Sequence, residues 1–340
     1  MILSRRVCGV GVDLGARVLR AAGVDRAGQR VASASVQRTS DAPTPSATEL
    51  ARLAAAMRRG GLPRTGVWIA APKAVQSVRG LSLPAPESGA PIDRLARAEA
   101  ARLARVDPQA LELALWQAPA PHRAGGLHAT AVVVSHDDLR GITAAATAAG
   151  LSVRGVTPQA AAAALGAGRD SRGLQLLVDL GWSDTTLIAL RDGAPSFQRS
   201  TSQSLHAVVR AMAESLDLDL EAATSTFTAS HDPSSALGQI VDATVRRYGA
   251  QLAEDIEDSI AFLRSVWPAD DVERVVMLGG GARTTDLDEW LVAALGVEVR
   301  RADERGPEWA AAIGAARASI GLSFAQHDGC DASSMQRRAA

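Results

Sequence analysis

Lysine is nearly missing from this chain. Among its 340 residues there are 36 basic ones; Lys73 is the only lysine and the others are arginine. Codon bias in a GC-rich genome is the plain reading of that imbalance. Whatever its cause, no Gly-x-x-x-x-Gly-Lys-Ser/Thr stretch exists, so a P-loop is excluded. Cysteine is scarce too. Cys8 and Cys330 sit near opposite ends without metal-ligand spacing and read as inert thiols. No sign of charge dominates: 36 basic residues face 37 acidic ones, for a formal net charge of −1. That balance gives no reason to propose a nucleic-acid partner, though a local basic patch at a membrane surface stays open. No apolar run reaches about 18 residues, so no transmembrane helix is expected. Residues 1–6 are too short and too charged to begin a signal peptide, and the reading is a cytoplasmic protein. The six histidines are scattered without ligand-like partners. What remains is a chain with 47% hydrophobic residues, long enough for two domains with two cores.

The chain is organised around Val178-Asp179-Leu180-Gly181-Trp182-Ser183-Asp184-Thr185-Thr186-Leu187. An apolar run over 174–178 ends in Asp-Leu-Gly, hydroxyl residues follow, and a second apolar run covers 187–190. That pattern predicts a strand, a tight turn and an antiparallel strand. Glycine in the turn lets backbone N–H groups come close to a ligand, hydroxyls can donate to phosphate oxygens, and Asp179 can hold a hydrated cation. Val12-Asp13-Leu14-Gly15 repeats the device. A third element is Val275-Val276-Met277-Leu278-Gly279-Gly280-Gly281-Ala282, a buried strand running into a glycine triplet, with a helix expected over 286–295.

Two aspartate hairpins and a glycine-rich strand-to-helix turn, in that order, resemble the actin-like ATPase (ribonuclease H-like) fold. The expectation is therefore α/β: two duplicated domains around a nucleotide cleft, with a small α/β subdomain inserted. Strand, turn and helix signals place the first domain at 1–80 and 154–172. The proline-marked insert covers 81–153. The second domain runs over 173–325, with a helical subdomain at 206–270, and 326–340 is a polar, disordered tail. Helices are expected over 202–216, 220–227 and 242–266.

Over residues 8–321 the order of parts is similar to the PilM proteins, cytoplasmic actin-like components of type IV pilus assembly. The proline-rich entry to the insert, Ile92-Asp93-Arg94, Ala131-Val132-Val133-Val134, Ala149-Gly150-Leu151 and Asp192-Gly193 add to the likeness. FtsA and the cytoplasmic part of GspL are related; FtsA ends in an amphipathic membrane helix and GspL continues into a span, and the polar tail here matches neither. The resemblance implies ATP and Mg2+ as cofactors. Asp13 and Asp179 would hold Mg2+; Gly15, Gly181, Ser183 and Thr185 would donate to phosphates; Gly279, Gly280 and Gly281 would face adenosine, with Glu221 near the base. The plainer roles are turn-capping for the aspartates and tight packing for the glycines. The implied partner is the N-terminal cytoplasmic peptide of a PilN-like inner-membrane protein, docked near the insert. The chain would then be a scaffold of the pilus assembly complex, peripheral to the inner membrane. An actin-like kinase or chaperone-like ATPase is the alternative; no sugar pocket or aspartate base can be placed for it. The motif is not fully kept. Ala16, Arg17 and Val18 replace hydroxyl residues, Arg20 stands for a lysine, Ser202-Gln203-Ser204 replaces a glycine-rich turn, and Thr157 stands where Glu is common. Thr157 is a poor base and Gln159 could orient water without taking its proton, so slow or absent hydrolysis is expected.

Overall fold

The computed structural model describes residues 6–118, 126–167, 173–229, 232, 234–302 and 306–322. The tail expected at 326–340, and with it Cys330, lies outside these residues. The first half supplies β1 (Gly9–Leu14), β2 (Val18–Val24), β3 (Arg30–Gln37), α1 (Ala47–Arg59), β4 (Thr65–Ala70), β5 (Ser77–Leu83), α2 (Ile92–Ala104), β6 (Leu111–Ala118), β7 (Leu127–Ser135), α3 (His136–Ala148), β8 (Ser152–Thr157) and α4 (Gln159–Ala167). The second half supplies β9 (Leu174–Leu180), β10 (Thr185–Arg191), β11 (Ala194–Thr201), α5 (Leu205–Leu216), α6 (Leu220–Thr228), α7 (Ala236–Val266), β12 (Val272–Leu278), α8 (Leu287–Leu295), β13 (Glu298–Arg301) and α9 (Ala310–Ser319).

Two five-stranded sheets carry the same topology. Their orders are β3-β2-β1-β4-β8 and β11-β10-β9-β12-β13, each an antiparallel meander joined to two parallel strands. Each sheet buries an alternating apolar face. Val10, Val12 and Leu14 pack with Leu50, Leu53 and Met57 of α1 and with Ile142 and Ala146 of α3. Leu176, Val178 and Leu180 pack with Leu252, Ile256 and Ile260 of α7 and with Leu287 and Leu291 of α8. The period-2 alternation of the strands decides which residues point at which layer.

The opposite faces meet across two crossing helices. α4 follows the first sheet, yet its Ala160, Ala163 and Ala164 pack on Leu177, Ile188 and Leu190 of the second. α9 follows the second sheet, yet its Ala312 and Ala316 pack on Ala22 and Val24 of the first. The expected assignment of α4 to the first domain and of α9 to the second is thus exchanged in the packing. Small residues allow it: a Cβ at Gly314 would collide with the Ala162 carbonyl, and one at Gly166 with the Ala310 carbonyl. The crossing works only at backbone-to-backbone distance.

The insert also differs from residues 81–153. Its sheet, β5-β7-β6, starts at Ser77 and ends at Ser135. α2 covers one face through Ala96, Ala100 and Ala101. α3 belongs to the first core, not to this sheet, because Ile142 and Ala146 point at α1. Ser135 caps α3, accepting from Asp138 N at 3.0 Å. The other helix ends move for similar reasons. Ser204 caps α5, so residues 202–203 stay outside it, and Ser235 caps α7, which starts at Ala236, six residues before 242. One cap was readable and missed: Ser46-x-x-Glu49 is a capping box in which Glu49 accepts from Ser46 N at 2.9 Å and Thr39 N at 2.8 Å. No helix among the described residues is long and apolar enough to cross a membrane.

Candidate functional site

The two hairpins have the same construction. Asp13 pairs across β1–β2 with Arg20, and Leu14 with Leu19; Asp179 pairs across β9–β10 with Thr186, and Leu180 with Thr185. Four residues, 15–18 and 181–184, close each turn. Gly15 lies against the Val18 carbonyl and Gly181 against the Asp184 carbonyl, so a Cβ at either would sit 2.6 Å from that oxygen. Gly181 N–H donates to the Asp184 carbonyl at 3.0 Å, which spends the donor expected for a phosphate.

The strand period separates the hydroxyls. Thr186 lies on the Asp179 face, where its Oγ1 donates to Asp184 Oδ1 at 3.0 Å and lies 3.3 Å from Ser200 Oγ. Thr185 points the other way and is fully buried in the core beside Tyr248. Burial pushes the Tyr248 phenol up to about 12, with the neighbouring Thr185 hydroxyl opposing the rise. The register thus turns Thr185, expected at the phosphates, away from Asp179 and puts Thr186 beside it. Ser183 is exposed at the hairpin tip.

Asp13 and Asp179 come together at the junction of the two sheets, both less than a tenth exposed. Burial pushes Asp13 up to about 6. Arg20, Gln159 and Lys73 pull it back, and the neighbouring Asp179 adds to the rise. Gln159, at the start of α4, hydrogen-bonds the Asp13 carboxylate, and its own Oε1 is buried without a partner. Asp179 is held from across the cleft. Lys73 Nζ lies 2.9 Å from Asp179 Oδ2 and 3.1 Å from Asp184 Oδ1. Burial opposes the charge on Lys73, but the two carboxylates hold its ammonium above the usual lysine range. β4 places it: Ala70 is the parallel neighbour of Asp13, and a single 3-10 turn, Lys73–Val75, carries the lysine over the second hairpin.

The hairpins also touch directly. The Arg17 guanidinium stacks 4.1 Å above the Trp182 ring, and Trp182 packs on His206 at 5.1 Å. Arg17, where hydroxyl residues were expected, thus joins the two turns. The glycine triplet lies beside Asp179. Gly279 has φ +83°, and a Cβ there would sit 2.5 Å from Asp179 Oδ1. At Gly280 the nearest atom to such a Cβ is Arg20 Nη2, 3.9 Å away. Glu308, just beyond, is buried and pairs with Arg283 at 3.1 Å. Glu221 is exposed in the first turn of α6. Lys73, Arg20 and Asp184 were not expected in the site. Arg20 could have been found by counting hairpin register from Asp13, and Lys73 by asking why a chain of arginines keeps one lysine.

The groups present fit an anionic nucleotide better than its metal. A bare glycine turn beside the Arg20 guanidinium leaves room and a cationic donor for a phosphate-bearing ligand, while the orphaned amide oxygen on Gln159 can only accept and suits a water or a hydroxyl. Mg2+ between Asp13 and Asp179 does not fit this arrangement, because the Asp179 carboxylate is already taken by the Lys73 ammonium. Among the described residues no other group of His, Cys, Asp or Glu is arranged to hold a metal.

No protein-family model and no curated protein matches the chain. Solved structures do. A chain from the PilM–PilN type IV pilus biogenesis complex superposes with a TM-score of 0.72 at 22% identity, over 93% of this chain and 99% of that one. MreB 5 of Spiroplasma citri, bound to AMPPNP, gives 0.51 at 11% identity, over 91% and 95%. The archaeal actin homolog Ta0583 gives 0.50 at 15% identity, over 92% and 99%. The chain has the actin-like ATPase fold.

Proposed function

We propose that this chain is a nucleotide-binding scaffold of type IV pilus biogenesis, taking the N-terminal cytoplasmic peptide of a PilN-like inner-membrane protein and linking it to the assembly machinery. The observation that carries the reading is the end-to-end match to a chain of the PilM–PilN complex, at a TM-score of 0.72 where MreB 5 and Ta0583 give 0.51 and 0.50. The inserted sheet supports it. β5 and β6 are edge strands, and an extended peptide can add to such an edge through its backbone. Fold alone does not specify function, so the partner is the decisive test. The full chain should bind a synthetic peptide of the PilN-like N-terminus in titration calorimetry and copurify with the membrane pilus proteins; no binding in both assays would overturn the scaffold reading.

Nucleotide is the second half of the proposal. ATP at 100 times its dissociation constant should stabilise the chain by about 2.7 kcal/mol. Asp179→Ala should lose most of that gain. Turnover should be slow. Thr157 and Gln159 are both buried at the start of α4, and neither is a base. Gln159 can hold a water near Asp13 but cannot accept its proton, and losing a positioned base costs about 10²–10⁴-fold. Phosphate release at several per second, measured against Asp179→Ala as blank, would show a catalytic group elsewhere.

A further inference from the structure

Lys73 is the one lysine of the chain, and its side chain is turned into the cleft. It reaches from the end of β4, in the first sheet, to two carboxylates of the second hairpin. Nζ is 2.9 Å from Asp179 and 3.1 Å from Asp184. One acceptor is held in place beforehand: Asp184 Oδ1 accepts from Thr186, the cross-strand partner of Asp179, at 3.0 Å. The side chain is 22% exposed, so the pair is largely screened from water. A Cβ on Gly181 would come 3.7 Å from Nζ, so the ammonium sits directly over the turn.

We propose that Lys73 is the resident cation of this cleft: its ammonium takes the place of a divalent metal at the second hairpin and ties the two halves together without one. The chemistry favours lysine for this task. An ammonium is a compact point charge that can face two carboxylates from one atom. A planar guanidinium is built for a bidentate fork with one carboxylate and is larger. A chain that uses arginine at every other basic position therefore keeps its lysine where a metal-sized cation is needed. The comparison between hairpins points the same way. Asp13 has Arg20 as its own cross-strand cation, whereas Asp179 has Thr186 opposite and must draw its counter-charge from elsewhere. Lys73 supplies it from the other half, so the cation also acts as a latch. The consequence for ligands rests on the nucleotide reading above: phosphates would meet Lys73 itself, and binding would not need Mg2+.

The test uses Mg2+ alone, before any nucleotide. Melting of the wild-type chain should be the same in millimolar Mg2+ and in EDTA. Lys73→Met leaves Asp179 and Asp184 without their cation; it should melt lower in EDTA and recover by at least about 2 °C when Mg2+ is added. Mg2+ raising the wild-type midpoint, or giving Lys73→Met nothing, would overturn the proposal. Should Lys73→Met not fold, Lys73→Gln replaces it in the same comparison, because it also removes the charge while still donating a hydrogen bond to one carboxylate; the same two outcomes decide. ATP is then added in EDTA and in Mg2+. An equal shift of the wild type in both buffers extends the proposal to ligands, and a shift only in Mg2+ overturns it. If ATP shifts neither protein in either buffer, the nucleotide reading falls, while the Mg2+ result still decides the role of Lys73.

Discussion

The two hairpins of this protein share backbone and differ in charge. Each places an aspartate one residue before the end of its strand, closes with a four-residue turn and presses a glycine against a carbonyl three residues on. The position opposite the aspartate differs, Arg20 in the first and Thr186 in the second, and the second turn adds Asp184. In the first hairpin the carboxylate is balanced locally, yet burial beside a second carboxylate pushes it up to about 6. In the second the carboxylate is balanced from the other half of the molecule by Lys73. One duplicated device has thus become an inward-looking acid and a cross-cleft tie. Symmetry of fold does not carry symmetry of electrostatics, because the backbone repeats while a single cross-strand residue sets the local field.

The largest expected effect breaks what lets the halves meet at all. Gly314→Ala puts a methyl into the Ala162 carbonyl, where only backbone could yield. It should cost about 3 kcal/mol, the upper part of the overpacking range. Urea unfolding reads it, and a loss under about 1 kcal/mol would mean that the helices can part without harm.

Exchanging each aspartate for asparagine then sharpens the hairpin comparison. Asp179→Asn removes the stronger partner of a largely buried ammonium and should destabilise the chain by about 1–3 kcal/mol at neutral pH. Asp13→Asn should do the opposite. The folded pKa of about 6 lies above the ordinary 3.8, so the folded state favours the protonated carboxyl. That preference stabilises fully below pH about 4 and is lost as pH rises to about 6. Asp13→Asn and wild type should therefore match near pH 4 and diverge above it, the variant being more stable at pH 7 by on the order of 2–3 kcal/mol. Parallel melting curves across that range, or the same sign for both variants, would remove the asymmetry.

The smallest effect belongs to the contact between turns. Arg17→Ala gives up a half-buried cation–π contact with Trp182 and should cost about 0.5–1 kcal/mol. Its tryptophan fluorescence should respond more than its melting temperature.

The sequence by itself determined the parts that follow from local periodicity. Apolar runs placed β9 and β12, helical spacing placed α5 and α7, and the Asp-Leu-Gly and Gly-Gly-Gly stretches fell where backbone had to turn tightly. Repetition of one motif predicted two like domains, and two sheets of one topology are present. Cross-strand register was also legible in principle. A turn closed by residues 181–184 puts Thr186, not Thr185, beside Asp179, and the error came from reading hydroxyls as a group. What only the tertiary structure decided concerns groups distant in the chain. No local pattern says that α4 crosses to the second sheet and α9 to the first; that depends on two glycines allowing backbone contact between segments about 150 residues apart. Nor does any pattern bring Lys73 to Asp179, since Coulomb attraction acts over a few ångströms of space whatever the separation along the chain. Lone lysine was visible from the start as a count. Its meaning came only when two carboxylates closed around it.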